Sequence, residues 1–153
     1  MSSGSEARGA LVVGVGNAWA GDDAAGLLVA RIVRERAPGV RVIEHEGEPT
    51  ALLEEWEGAA LAIVVDATSG GGRPGEVRVM DATGAPLPAA FTGTSTHAFG
   101  LAEAIELGRA LGRLPRRLVV IGIEGARFDA GAGPSAGVRT ALDAAADEVL
   151  ALL

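Results

Sequence analysis

The sequence predicts an α/β sandwich built on a mostly parallel sheet. Two observations carry that expectation. Short continuous apolar runs alternate with stretches of helical hydrophobic period along the chain. One inter-strand gap, Ala67 to Gly75, is too short for the crossover a parallel pair requires, so strand four should run antiparallel to strand three, toward an edge.

The elements follow in order. Leu11-Val12-Val13-Gly14-Val15 is apolar throughout, as a buried parallel strand must be. A turn with three glycines, Gly14, Gly16 and Gly21, leads to Asp22-Asp23 and a helix carrying Leu27, Leu28, Ile32 and Val33 near helical spacing. Pro38-Gly39 ends it. Val40 to Glu44 reads as the second strand, and Pro49 opens a helix over Thr50 to Trp56. Leu61 to Asp66 is a third strand, apolar on both faces and ending in a carboxylate. Glu76 to Met80 alternates Val77 and Val79 with Glu76 and Arg78, the pattern of an antiparallel strand with one exposed face. A long connection, Asp81 to Thr96, leads to a helix that ends near Leu111. Leu118 to Glu124 is the fifth strand, and Ala136 to Leu153 a terminal helix with Ser135 at its cap. Residues 1–10 read as a frayed tail and 11–153 as one domain.

Composition excludes several classes. The net charge is −7, and every basic side chain apart from His45 and His97 is arginine, a poor balance for nucleic acid. With no cysteine, disulfides and thiolate metal sites are ruled out; a metal would need carboxylate, imidazole or carbonyl ligands. Neither a signal peptide nor an apolar run of the ~20 residues a membrane span needs is present. A cytoplasmic protein with no membrane partner is expected, as a monomer.

In open α/β sheets, ligands collect at the C-terminal ends of the strands. That rule selects the turn after the first strand, Asp66 and Glu124. At the turn, a glycine-rich strand-to-helix connection suggests a phosphate cradle, but adjacent carboxylates would repel phosphate. Asp22 and Asp23 either cap the helix, or one caps while the other faces the crevice, kept ionised by the helix terminus to bind a cation. Asp66 is either a loop anchor for the amides of Thr68, Ser69 and Gly70 or a ligand, since an unpaired carboxylate at the rim of the core is costly. His97, after Ser95-Thr96, is a solvent-facing helix start or the imidazole of an Asp, Asp, His set suited to a divalent metal. Glu124 is a partner of an arginine or lies behind the ligands, and His45 is a strand-end group or a reserve ligand. There is no G-x-S-x-G elbow for a serine hydrolase, and bulky Trp19 stands where a dinucleotide fingerprint requires glycine.

Four stretches together resemble one family, the nickel–iron hydrogenase maturation endopeptidases. They are Gly14-Val15-Gly16-Asn17 with Asp22-Asp23 and Gly26; Val64-Val65-Asp66-Ala67 with Pro74-Gly75; Ser95-Thr96-His97-Ala98-Phe99-Gly100-Leu101; and Val120-Ile121-Gly122-Ile123-Glu124. Each alone is weak, but their order and spacing match from about residue 10 onward. The resemblance implies a three-layer α/β/α fold on a twisted five-stranded sheet. It implies metal ligands at Asp23, Asp66 and His97, and carries over Gly47 as a substrate-recognition position. The chain departs from the family where Ala24-Ala25 precede Gly26 and where Glu46-Gly47-Glu48-Pro49 replaces a Gly-Gly-Thr-like turn.

The activity so implied is removal of a C-terminal extension from a hydrogenase large-subunit precursor after nickel insertion, with the precursor supplying the nickel. Other divalent metals would substitute in a crystal. Asp22 is then an orienter or a base. Two other readings stand beside this one: a non-enzymatic nickel-dependent checkpoint or chaperone for the same precursor, and a nucleotide-binding domain using the Gly14 and Gly16 turn.

Overall fold

The computed structural model describes residues 9–88, 91 and 96–153, the side chains of residues 96–99 excepted. The strands are β1 (Ala10–Val15), β2 (Arg41–His45), β3 (Leu61–Thr68), β4 (Val77–Asp81) and β5 (Arg117–Glu124). The helices are α1 (Ala25–Arg36), α2 (Pro49–Trp56), α3 (Thr96–Leu111) and α4 (Ala136–Leu152), with a 3-10 turn over Gly21–Ala24 leading into α1. They form the expected five-stranded mixed sheet, in the order β2-β1-β3-β5-β4. Four strands run parallel, and β4 pairs antiparallel with β5 at the edge. The short, glycine-filled gap after β3 therefore carries the chain past the position of β5 instead of to a neighbouring strand.

Side-chain alternation along the strands divides the core in two. Val13, Val15, Ala62, Val64, Leu118 and Val120 pack with Leu52, Leu53 and Trp56 of α2 and Leu101, Ala104 and Ile105 of α3. Val12, Ile63, Val65, Ile121 and Ile123 face the other way, against Ala25, Val29 and Val33 of α1 and Val138, Ala141 and Val149 of α4. The central strands are apolar on both faces because both faces are covered, which gives the three layers.

Three boundaries differ from the sequence reading. β3 continues to Thr68, so Asp66 lies within it, in register with Gly122 of β5, and does not end it. Neither aspartate caps α1 as a helix N-cap does. Both lie inside the 3-10 turn, and the N-cap position of α1 falls on Ala24 with no side-chain cap. Ser135 does hold the N-cap position of α4, but its side chain makes no cap bond there. Capping does occur at α2, where Glu48 accepts the Ala51 N–H at 2.7 Å and Pro49 occupies the first turn. Residues 1–8 of the expected tail lie outside the described residues. Among the described residues, no helix is long and apolar enough to cross a membrane.

Candidate active site

The chain leaves β1 toward β2 on one side, then returns to β3 on the other. A crevice opens at such a reversal, at the C-terminal ends of β1 and β3. Glycine geometry draws the acidic turn onto this crevice. A Cβ on Gly26 would collide with the carbonyl oxygens of both Val15 and Val65, so the start of α1 rests directly on the two strand ends. A Cβ on Gly16 would strike the Asp23 carbonyl, and the Asn17 N–H donates to that carbonyl at 3.2 Å. Asp23 is thus held three residues from the Gly26 contact, and Val65 directly precedes Asp66. Both carboxylates are buried, Asp23 at 4% exposure and Asp66 at 1%.

Asp22 is fully buried and its carboxylate is saturated. Oδ2 accepts the N–H groups of Ala126 at 2.6 Å and Arg127 at 2.9 Å and the Ser135 hydroxyl at 2.8 Å, while Oδ1 accepts the Ser135 N–H at 2.5 Å. Burial alone would push its carboxyl up. The N–H groups of Arg127, Ser135 and Ala126 and the Ser135 hydroxyl outweigh burial and hold it below the usual aspartate value. The backbone doubles the attachment: Gly21 N–H donates to Ala132 O, Asp22 N–H to Arg127 O, and Gly131 N–H to Trp19 O. Of the two roles expected for Asp22, this geometry suits the orienter, because a carboxylate stabilised in its ionised form by four donors is a weak proton acceptor.

Glu124, at the end of β5, repeats the pattern of hydrogen bonds. It is buried, and it accepts the Thr68 hydroxyl at 2.9 Å, the Gly70 and Gly71 N–H groups at 3.2 Å each, and Arg78 Nη1 at 3.3 Å. The arginine partner that the sequence left open is Arg78, and the anchor of the Gly70 amide is Glu124. Arg78 had been assigned to the exposed face of its strand. The antiparallel register, Arg78 opposite Gly122, instead brings its guanidinium diagonally to Glu124. The sequence sets strand four against strand three, so only the observed β4–β5 pairing puts Arg78 beside Glu124. Ser135 was missed as the partner of Asp22 because the two lie 113 residues apart in the chain.

Asp66 shares a face of β3 with Ala62 and Val64, the face that α2 and α3 cover. Gly122, opposite it, has no side chain on that face. A Cβ there would lie 2.7 Å from Thr68 Cγ2 and 3.1 Å from the Phe91 ring. His97 falls in the first turn of α3, on this same side of the sheet; its side chain lies outside the described residues, as does Ser95. Among the described residues no three histidine, aspartate or glutamate side chains converge as a metal site. Gly47, with φ +98°, meets the first turn of α3 from the β2–α2 loop: a Cβ on Gly100 would come 2.7 Å from the Gly47 carbonyl oxygen. The Gly47 N–H donates to His45 Nδ1 at 2.8 Å. The β1–α1 turn, β3, the β2–α2 loop and the start of α3 therefore meet at one end of the sheet. Among the described side chains, Asp23 and Asp66 are the carboxylates that could serve a divalent metal at this end of the sheet.

Comparison with known proteins bears on the fold and the family. A family model described as hydrogenase maturation protease matches residues 28–152. The chain is 28% identical over 147 residues to a hydrogenase expression/formation protein of Azotobacter chroococcum, covering 94% of this chain and 70% of the relative. It is 27% identical to the hydrogenase 2 maturation protease of Escherichia coli, covering 94% of this chain and 89% of that one. The solved structure of the E. coli hydrogenase maturating endopeptidase HybD superposes with a TM-score of 0.81 at 26% identity, over 94% of this chain and 91% of that chain. The fold is thus shared with a solved hydrogenase maturating endopeptidase, and the chain belongs to the hydrogenase maturation protease family.

Proposed function

We propose that the protein is an endopeptidase that removes the C-terminal extension of a nickel–iron hydrogenase large-subunit precursor once nickel is in place. In this reading Asp23, Asp66 and His97 engage nickel carried by the precursor. The metal belongs to the substrate, and its presence licenses cleavage. The observation that carries the proposal is the contact of Gly26 with the Val15 and Val65 carbonyls, which sets the Asp23 turn against the strand bearing Asp66. Family membership supports the protease class.

The residues divide the labour. Asp22 positions: its four hydrogen bonds fix the turn, so the neighbouring Asp23 is presented without a search for its conformation. Glu124 does the same for the loop that follows β3. Gly47 places the β2–α2 loop beside the start of α3, where a precursor reaching His97 would pass.

Incubation of nickel-loaded and nickel-free precursor with the protein tests this directly. The loaded form should be shortened at one site near its C-terminus and the nickel-free form left intact. His97→Ala and Asp66→Asn should each abolish processing while the thermal unfolding transition stays cooperative. Complex formation without any shortened product would instead favour the non-enzymatic checkpoint.

A further inference from the structure

The turn that presents Asp23 also presents Trp19, which neither the fold nor the proposed metal chemistry uses. Trp19 is 78% exposed, whereas Trp56 and Phe91 are buried and Phe128 is half-buried. A single exposed apolar residue is ordinary. An exposed indole on a backbone fixed from both sides is less so. The Trp19 N–H donates to Asn17 Oδ1 at 2.9 Å, and its carbonyl accepts the Gly131 N–H at 2.6 Å. Three residues on, Asp22 is locked by its four donors. The side chain is thus offered to solvent at little cost in backbone entropy, as an aromatic anchor should be.

Trp19 lines an open groove of about 820 Å³. Its other walls include Gly16, Leu27, Ala51 and His45, with Glu46 and Glu48 exposed at the rim. The volume is in the range of ligand sites. Its charge is one-sided. Glu44, also at the groove, is paired with Arg31 at 2.9 Å and Arg34 at 3.3 Å, and among the described residues that line the groove there is no lysine or arginine. The Ala51 N–H holds the Glu48 carboxyl below its ordinary range, so it is ionised at neutral pH. His45 Nδ1 is occupied as the acceptor of the Gly47 N–H, which leaves the proton of the neutral ring on Nε2 as a donor.

We propose that this groove docks an extended segment of the protein substrate, with an apolar side chain against Trp19 and a basic side chain at Glu48 on the rim. This rests on the proposed function and deepens it: the crevice would handle the nickel, and Trp19 would be a specificity-determining residue that holds the polypeptide. The acidic rim argues against nucleic acid and anionic metabolites as occupants.

The probe is a tryptophan-free synthetic peptide covering the C-terminal thirty or so residues of the precursor, titrated onto the full protein. Since Trp56 is buried, acrylamide quenching reports on Trp19. Peptide should shift the emission to the blue and lower the quenching constant at least twofold, and binding should weaken several-fold at high salt. Trp19→Ala should raise the peptide Kd and the KM for precursor about tenfold with kcat within twofold, and Trp19→Phe should restore most of the loss. Unchanged quenching with peptide bound, or a wild-type KM in Trp19→Ala, overturns the assignment. Salt-independent binding overturns the basic occupant. Loss of quenching with protein concentration alone, matched by dimers in sedimentation, would assign the groove to a second copy and overturn it too. If the precursor is never cleaved yet the peptide protects Trp19, the protease reading falls and the groove assignment stands.

Discussion

Asp22 and Trp19 stand three residues apart on one turn and meet opposite fates. The carboxylate is fully buried, with both oxygens committed to the β5–α4 connection; the indole stands in water beside an open groove. The charged group is inside and the apolar group outside, the reverse of what composition alone would suggest. The inversion holds because Asp22 has four donors to replace its hydration, while Trp19 has a fixed backbone and no core to enter. One side of the turn is committed to stability, the other left for binding. Substitutions on the first side should move the unfolding free energy, and substitutions on the second should move affinity alone.

The largest effect should come from the residue that serves both sides. Gly26→Ala places a methyl group against two backbone carbonyls, Val15 O and Val65 O, neither of which can swing away as a side chain does. α1 would have to lift from the strand ends. The expected loss is about 3 kcal/mol, at the upper end of overpacking costs, with processing and groove binding impaired together. Urea unfolding measures the first, and the peptide titration the second. Normal stability in this variant would mean that α1 does not rest on the strands as described.

Asp22→Asn tests the committed side alone. Whichever way the amide is turned, its NH2 group faces at least one of the donors that the carboxylate accepts, so about 2–3 kcal/mol should be lost. The pH dependence carries a sign. The folded-state pKa lies below the ordinary 3.8, because the N–H donors outweigh burial; the stabilisation is therefore present above about 3.8 and lost as pH falls through the lower folded value. The wild type should lose stability on that acid limb, and the variant should show a shallower slope there. Equal slopes would mean that Asp22 is not held ionised by its donors. Glu124→Gln should cost about 1–2 kcal/mol in urea unfolding through its lost acceptor, the smaller figure because Arg78 keeps a second partner in Glu76 at 3.2 Å.

The division between the two sides was only partly legible in the sequence. The sheet was, because strands covered on both faces read as unbroken apolar runs and the short gap after β3 dictated the antiparallel edge. The strand ends where ligands gather were too, but the strand order, and with it the crevice between β1 and β3, needed the structure. What the sequence could not supply was the partner of each acid. Asp22 and Asp23 are adjacent and chemically identical, yet the partners of Asp22 lie more than a hundred residues on, at Ala126, Arg127 and Ser135. Local pattern pointed to a cap, while tertiary contact made the residue an anchor between two loops. Trp19 shows the converse. In the sequence it served only to exclude a dinucleotide fingerprint, because nothing local distinguishes an indole that will be buried from one that will be displayed.

Trp19→Ala should have the smallest effect on stability and for that reason sharpens the comparison most. The side chain is 78% exposed, so its removal returns little apolar surface to water and leaves no cavity. The bonds that fix the turn, Trp19 N–H donating to Asn17 Oδ1 and Gly131 N–H donating to Trp19 O, use the main chain of residue 19 and survive the substitution. The unfolding free energy should therefore change by less than about 0.5 kcal/mol, the ordinary range for surface positions. Set against this, a tenfold loss of peptide affinity is worth about 1.4 kcal/mol, which the fold would not register. A variant that lost stability and affinity in equal measure would show that the indole packs onto the turn after all. The two sides of the turn would then be a single structural unit.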